Sequence, residues 1–174
     1  MCRLGSIHIF SGEGKGKTSA AIGQAIKTAS AGGDVVIIRF LKGNDSSEYE
    51  LLKRLEPEIK VFSFEKSEKE FKDMTEDERR DDIAHIKNGV AFAHKVLATN
   101  GCSMLILDEL LGLIDAGIIS TGELKDLLDA KPSDTDVVIT GITINDEISE
   151  LADEITYMTT SVNNVVDPDS ASDH

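Results

Sequence analysis

Ser11-Gly12-Glu13-Gly14-Lys15-Gly16-Lys17-Thr18 lies between a short apolar run and a helical pattern, and its composition suits the capture of an anion. Glycines at 12, 14 and 16 let backbone N–H groups turn toward phosphate oxygens without a Cβ in the way. A helix opening near Lys17 would aim the positive end of its dipole at the same point. The Lys17 ammonium would reach the β- and γ-phosphates of a nucleotide, and the Thr18 hydroxyl would ligate Mg²⁺. The pattern is that of a P-loop, with Ser11 where the general form has Gly. The expected nucleotide contacts are Ser11, Gly12, Glu13, Gly14, Lys15, Gly16, Lys17, Thr18 and Ser19.

A second cluster completes that chemistry. Met104-Leu105-Ile106-Leu107 is an apolar strand that delivers Asp108 and Glu109 at its C-terminal end, the edge where open parallel sheets bind ligands. An Asp so placed serves a nucleotide-bound Mg²⁺, and a following Glu joins the metal or positions a water. Asp108 and Glu109 are therefore expected at the metal with Thr18, and Lys17 and Glu109 are the candidate catalytic side chains. Arg39 and Lys42 end a second apolar run and are expected near the same ligand edge. A dinucleotide-binding loop does not fit: the glycine spacing is G-x-G-x-G, and Arg39-Phe40-Leu41-Lys42 lacks the acidic residue that would hold a ribose. His8, His85, His94 and His174 share no ligand spacing, and Cys2 and Cys102 fit no metal or redox pattern.

These residues need a scaffold that brings two strand ends together. Strand-like runs occur at Ser6–Phe10, Val35–Phe40, Ile59–Phe64, Met104–Leu107, Val137–Thr140 and Ile155–Met158. The first, second, fourth and fifth are apolar enough to be buried on both faces. Ala21, Ile22, Ala25, Ile26 and Ala29 form a helical stripe ended by Gly32-Gly33. A long helix is expected from the capping box at Thr75-Glu76-Asp77-Glu78, with a stripe of Ile83, Ile86, Val90, Ala93 and Leu97. A shorter helix spans Gly122–Ala130 and stops before Pro132. The alternation predicts an α/β fold of P-loop NTPase type (RecA-type), with a mostly parallel sheet covered by helices on both faces. One domain is expected over residues 1–160, Glu65–Arg80 is expected to be its most mobile stretch, and 161–174 are expected to be a disordered acidic tail.

Across 174 residues, 32 acidic side chains stand against 18 basic ones, for a formal charge of −14. Such a field disfavours nucleic acid and anionic membranes as partners. Without a signal-length apolar segment, the chain is expected to be cytoplasmic.

From about Gly5 to Met158 the sequence resembles the P-loop ATP:corrinoid adenosyltransferases. The resemblance is carried by Ile9–Ala21, by Arg39-Phe40-Leu41-Lys42-Gly43, by Leu107-Asp108-Glu109-Leu110 and by Val138-Ile139-Thr140-Gly141. It implies a cytosolic homodimer with ATP and a corrinoid as substrates and Mg²⁺ as cofactor. The 5′-deoxyadenosyl group of ATP would pass to Co(I), with release of triphosphate. The cobalt would be the nucleophile, so no side-chain nucleophile is required. Members usually follow Thr-Gly with Arg, whereas Ile142 follows Gly141 here. Ser161-Val162-Asn163-Asn164 and an acidic tail stand where members carry a basic, aromatic-containing segment, so a diverged, C-terminally shortened member is expected. The alternatives are an ATPase or kinase acting at the γ-phosphate and a non-catalytic ATP-binding relative.

Overall fold

The computed structural model describes residues 4–40, 47–64 and 73–162. Its strands are β1 (Ile7–Ser11), β2 (Val35–Arg39), β3 (Ile59–Ser63), β4 (Met104–Asp108), β5 (Asp136–Thr140) and β6 (Glu154–Tyr157). They form one sheet in the order β3-β2-β4-β5-β1-β6, and every pairing is parallel. β5 therefore separates the strand before the glycine loop from the strand before the acids, as the RecA-type label implies.

β2, β4 and β5 are buried at every position, and β1 at all but its first. The edge strands β3 and β6 are partly exposed. Strand alternation splits the apolar side chains into two layers. Val35, Ile37, Met104, Ile106 and Val138 meet Ala21 and Ala25 of α1 (Lys17–Ser30) on one face. Val36, Ile38, Leu105, Leu107, Val137 and Ile139 meet the helices of the opposite face. Those include the long helix and the shorter helix that follows β4.

Helix α2 (Ser47–Leu52) leads through a 3₁₀ turn into β3. Helix α3 (Glu76–Ala98) begins at the expected capping box: Glu78 N–H donates to Thr75 Oγ1 at 3.2 Å, and Thr75 N–H donates to the Glu78 carboxylate at 2.9 Å. Three short helices were not expected from the sequence: α2, α4 (Leu110–Asp115) and α6 (Asp146–Ser149). Helix α5 (Thr121–Asp129) starts one residue before the expected Gly122, because Ser120 and Glu123 form a second reciprocal cap. Of the Glu65–Arg80 stretch, 65–72 lie outside the described residues and Glu76–Arg80 form the first turns of α3. The tail from 163 also lies outside them.

Candidate nucleotide site

The alternation that builds the core also aims the site. In β4, Met104 and Ile106 face α1, so Asp108 faces the same way. In β5, Val138 does so, and Thr140 with it; in β2, Val35, Ile37 and Arg39 follow the same rule. Register places these ends in one row: Arg39 pairs with Asp108, and Phe10 with Thr140. Thr18, in the first turn of α1, reaches that row from the loop side. Its Oγ1 donates to Asp108 Oδ1 at 2.9 Å, joining two segments separated by ninety residues.

The loop is held by the ends of β5 and β6. Ser11 Oγ donates to the Ile142 carbonyl at 2.8 Å, and Gly12 N–H donates to the same oxygen at 3.0 Å. Gly14 N–H donates to the Met158 carbonyl at 2.9 Å, and Lys15 N–H to Thr160 Oγ1 at 2.9 Å. These three amides therefore anchor the loop outward, where the sequence suggested inward-turned groups at 12 and 14. Close packing on β6 is the reason: a Cβ on Gly12 would lie 2.4 Å from Met158 O, and one on Gly14 2.6 Å from the Met158 carbonyl. Gly12 also has φ 113°, and Gly16, which opens α1, has φ 105°.

Gly12→Ala should therefore cost about 2–4 kcal/mol through backbone strain and overpacking. A urea unfolding curve checks this, and an unchanged midpoint would contradict it.

Lys17 is buried, and its Nζ donates to Gly12 O at 2.6 Å and Gly14 O at 2.9 Å. Two carbonyls thus hold the ammonium at the mouth of the loop. Glu109 is half-buried and left-handed at φ 61°, ψ 25°, a conformation that turns the chain sharply from β4 into α4. Burial, and then the neighbouring Asp108 carboxylate, push the Glu109 carboxyl above its ordinary range, while Lys17 pulls it back. That coupling places Glu109 in the same electrostatic environment as Lys17 and Asp108.

Arg39 is buried beside Asp108 in the row, and Lys42 lies outside the described residues. Cys102 is far from the row, and burial pushes its thiol up to about 11, so it stays protonated at neutral pH. His8 is tied into the scaffold, with Nε2 2.8 Å from Thr156 Oγ1.

Thr140 had no assigned role in the sequence, yet its Oγ1 donates to Asp108 Oδ1 at 2.8 Å and accepts from Glu109 N–H at 2.8 Å. A signal was present: it is a polar residue ending an otherwise apolar strand, next to a glycine. Ile142, Met158 and Thr160 act through backbone or hydroxyl groups whose placement depends on strand pairing.

A glycine loop between β1 and α1, a lysine at its mouth and a hydroxyl–carboxylate pair at the next ligand edge define a P-loop nucleotide-binding α/β protein. The family model for ATP:corrinoid adenosyltransferase BtuR/CobO/CobP matches residues 3–168, and the chain belongs to that family. It is 31% identical to the corrinoid adenosyltransferase of Escherichia coli (strain K12), an alignment covering 88% of this chain and 76% of the relative. It is 30% identical to corrinoid adenosyltransferase CobA of Salmonella typhimurium, with the same coverage. The corrinoid adenosyltransferase of Pseudomonas aeruginosa is 30% identical over 88% of this chain and 74% of its own length.

Proposed function

We propose that this chain is an ATP:corrinoid adenosyltransferase, which moves the 5′-deoxyadenosyl group of ATP onto the Co(I) of a corrinoid. Family membership supplies the reaction class. The observation that carries it to these residues is the convergence of Lys17, Thr18 and Asp108 at one sheet edge. The electron pair of Co(I) attacks C5′, a Co–C bond forms, the C5′–O bond breaks, and triphosphate leaves with the bonding pair. The protein's task is to hold that leaving group and stabilise its charge. Lys17 and the loop amides other than those of Gly12, Gly14 and Lys15 do this, with Ser11, Glu13, the Lys15 side chain, Gly16 and Ser19 completing the contact surface.

Mg²⁺ fits the donor set. The Thr18 hydroxyl and the Asp108 and Glu109 carboxylates are hard oxygen ligands and few in number, as suits an ion that keeps waters and takes phosphate oxygens. Bound with the nucleotide, it would neutralise part of the triphosphate charge. Arg39 is assigned to the same edge, and Lys42 to the nucleotide contacts. The family resemblance further supports a cytoplasmic homodimer. Light scattering would check the dimer, with twice 18.8 kDa expected. Among the described residues no helix is long and apolar enough to cross a membrane.

The discriminating experiment is anaerobic incubation with reduced cobalamin and Mg·ATP, followed by ion chromatography of the phosphate products. Inorganic triphosphate appearing with the adenosylcorrinoid spectrum is expected. ADP and orthophosphate would move the protein to γ-phosphate chemistry. Tight ATP binding with neither product would make it a non-catalytic relative.

A further inference from the structure

Thr140 is fully buried, and its single hydroxyl joins the Asp108 carboxylate, at the end of β4, to the backbone of Glu109. It donates to Asp108 Oδ1 at 2.8 Å and accepts from the Glu109 backbone N–H at 2.8 Å. Asp108 Oδ1 also receives the Thr18 hydroxyl at 2.9 Å. One carboxylate oxygen therefore accepts two hydroxyl hydrogens, one from the first turn of α1 and one from the end of β5. That arrangement fixes the carboxylate rotamer, because rotation would break two charge-assisted hydrogen bonds at once. It also fixes Thr18: with its hydrogen held by Asp108, the Thr18 oxygen keeps its lone pairs for a cation.

The acceptor side of Thr140 matters equally. Glu109 is left-handed, a conformation that non-glycine residues adopt only when their surroundings require it. The hydrogen bond from its N–H to Thr140 satisfies a partly buried donor at that turn. Gly141 makes the approach possible, since a Cβ there would lie 2.3 Å from the Leu111 side chain. The Thr-Gly pair thus lets the end of β5 press against the first turn of α4, with the hydroxyl between the two acids.

We propose that Thr140 is a positioning residue for the Mg²⁺ half of the site, acting through Asp108 and the Glu109 backbone without touching the nucleotide. The proposal rests on the assignment of Thr18 and Asp108 to Mg²⁺.

The test is calorimetric titration of ATP, without corrinoid, in the presence of Mg²⁺ and of EDTA. Five chains are compared: parent, Thr140→Val, Thr140→Ser, Asp108→Asn and the Thr140→Val/Asp108→Asn double variant. Valine keeps the shape and removes the hydroxyl, and Thr140→Ala serves that arm if the valine chain does not fold. The expected result is that Thr140→Val lowers the Mg²⁺-dependent gain in ATP affinity about tenfold, the loss of one hydrogen bond to a charged group. Affinity in EDTA should stay within about twofold of the parent, and Thr140→Ser should keep the gain. The Thr140→Val/Asp108→Asn double variant should be little worse than Asp108→Asn alone, because both changes act through one carboxylate. If Asp108→Asn loses the gain while Thr140→Val keeps it, the positioning role is overturned and the metal assignment stands. The role is also overturned if serine fails as valine does. If Asp108→Asn keeps the full gain, the metal assignment fails and the proposal with it.

Discussion

Lys17→Ala is expected to weaken Mg·ATP binding by about 2–4 kcal/mol, on the order of 30- to 1,000-fold. The ammonium is held in place by the loop's own backbone. It is 9% exposed and donates to the carbonyls of Gly12 and Gly14 at 2.6 and 2.9 Å. A phosphate entering the loop meets a charge that is oriented and largely stripped of water, so little reorganisation is needed. Alanine removes that charge from a protein whose overall field opposes ATP, at a formal −14. It also takes a donor away from two loop carbonyls, so the melting temperature should be recorded beside the titration. Equal ATP affinity in variant and parent, with the fold intact, would remove Lys17 from the site.

Asp108→Asn is the second large effect, and it acts on the metal rather than the phosphates. The amide oxygen can still accept the hydroxyls of Thr18 and Thr140, which lie 2.9 and 2.8 Å from Oδ1 in the parent. Shape and hydrogen bonding are therefore largely kept while the charge is lost. The expected result is a loss of about 10- to 100-fold in apparent Mg²⁺ affinity, measured with ATP held constant. ATP affinity in EDTA should hold or improve slightly, since a carboxylate near the triphosphate repels it. A Mg²⁺ dependence identical to the parent would exclude Asp108 from the metal site.

Much of this site was legible because the decisive features are local. A glycine loop between an apolar run and a helical stripe, and two acids after Met104–Leu107, are consecutive in the chain. The four runs read as doubly buried became the central strands β1, β2, β4 and β5, and the two weaker runs became the edges β3 and β6. Thr75 capped α3 as its spacing required.

The features that were missed depend on contacts between distant segments, or on elements too short to show a period. Helix α4 is six residues of nearly unbroken apolar sequence following a left-handed Glu109, so no stripe distinguishes it from a strand. The Ser120 cap was readable as Ser-x-x-Glu, but Gly122 drew the expected boundary inward. The outward anchoring of Gly14 and Lys15 arises only when β6 pairs with β1 and brings Met158 and Thr160 beneath the loop. Likewise the Thr140 hydroxyl gains its meaning from the pairing of β4 with β5.

In the proposed reaction C5′ of ATP, and not its terminal phosphoryl group, is the site of attack. The most direct test uses ATP labelled with ¹³C at C5′, reduced cobalamin under anaerobic conditions, and the protein with Mg²⁺. The label is expected in a carbon bonded to cobalt, with one inorganic triphosphate released for each corrinoid alkylated. An unlabelled corrinoid, with the ¹³C recovered in ADP, would contradict it.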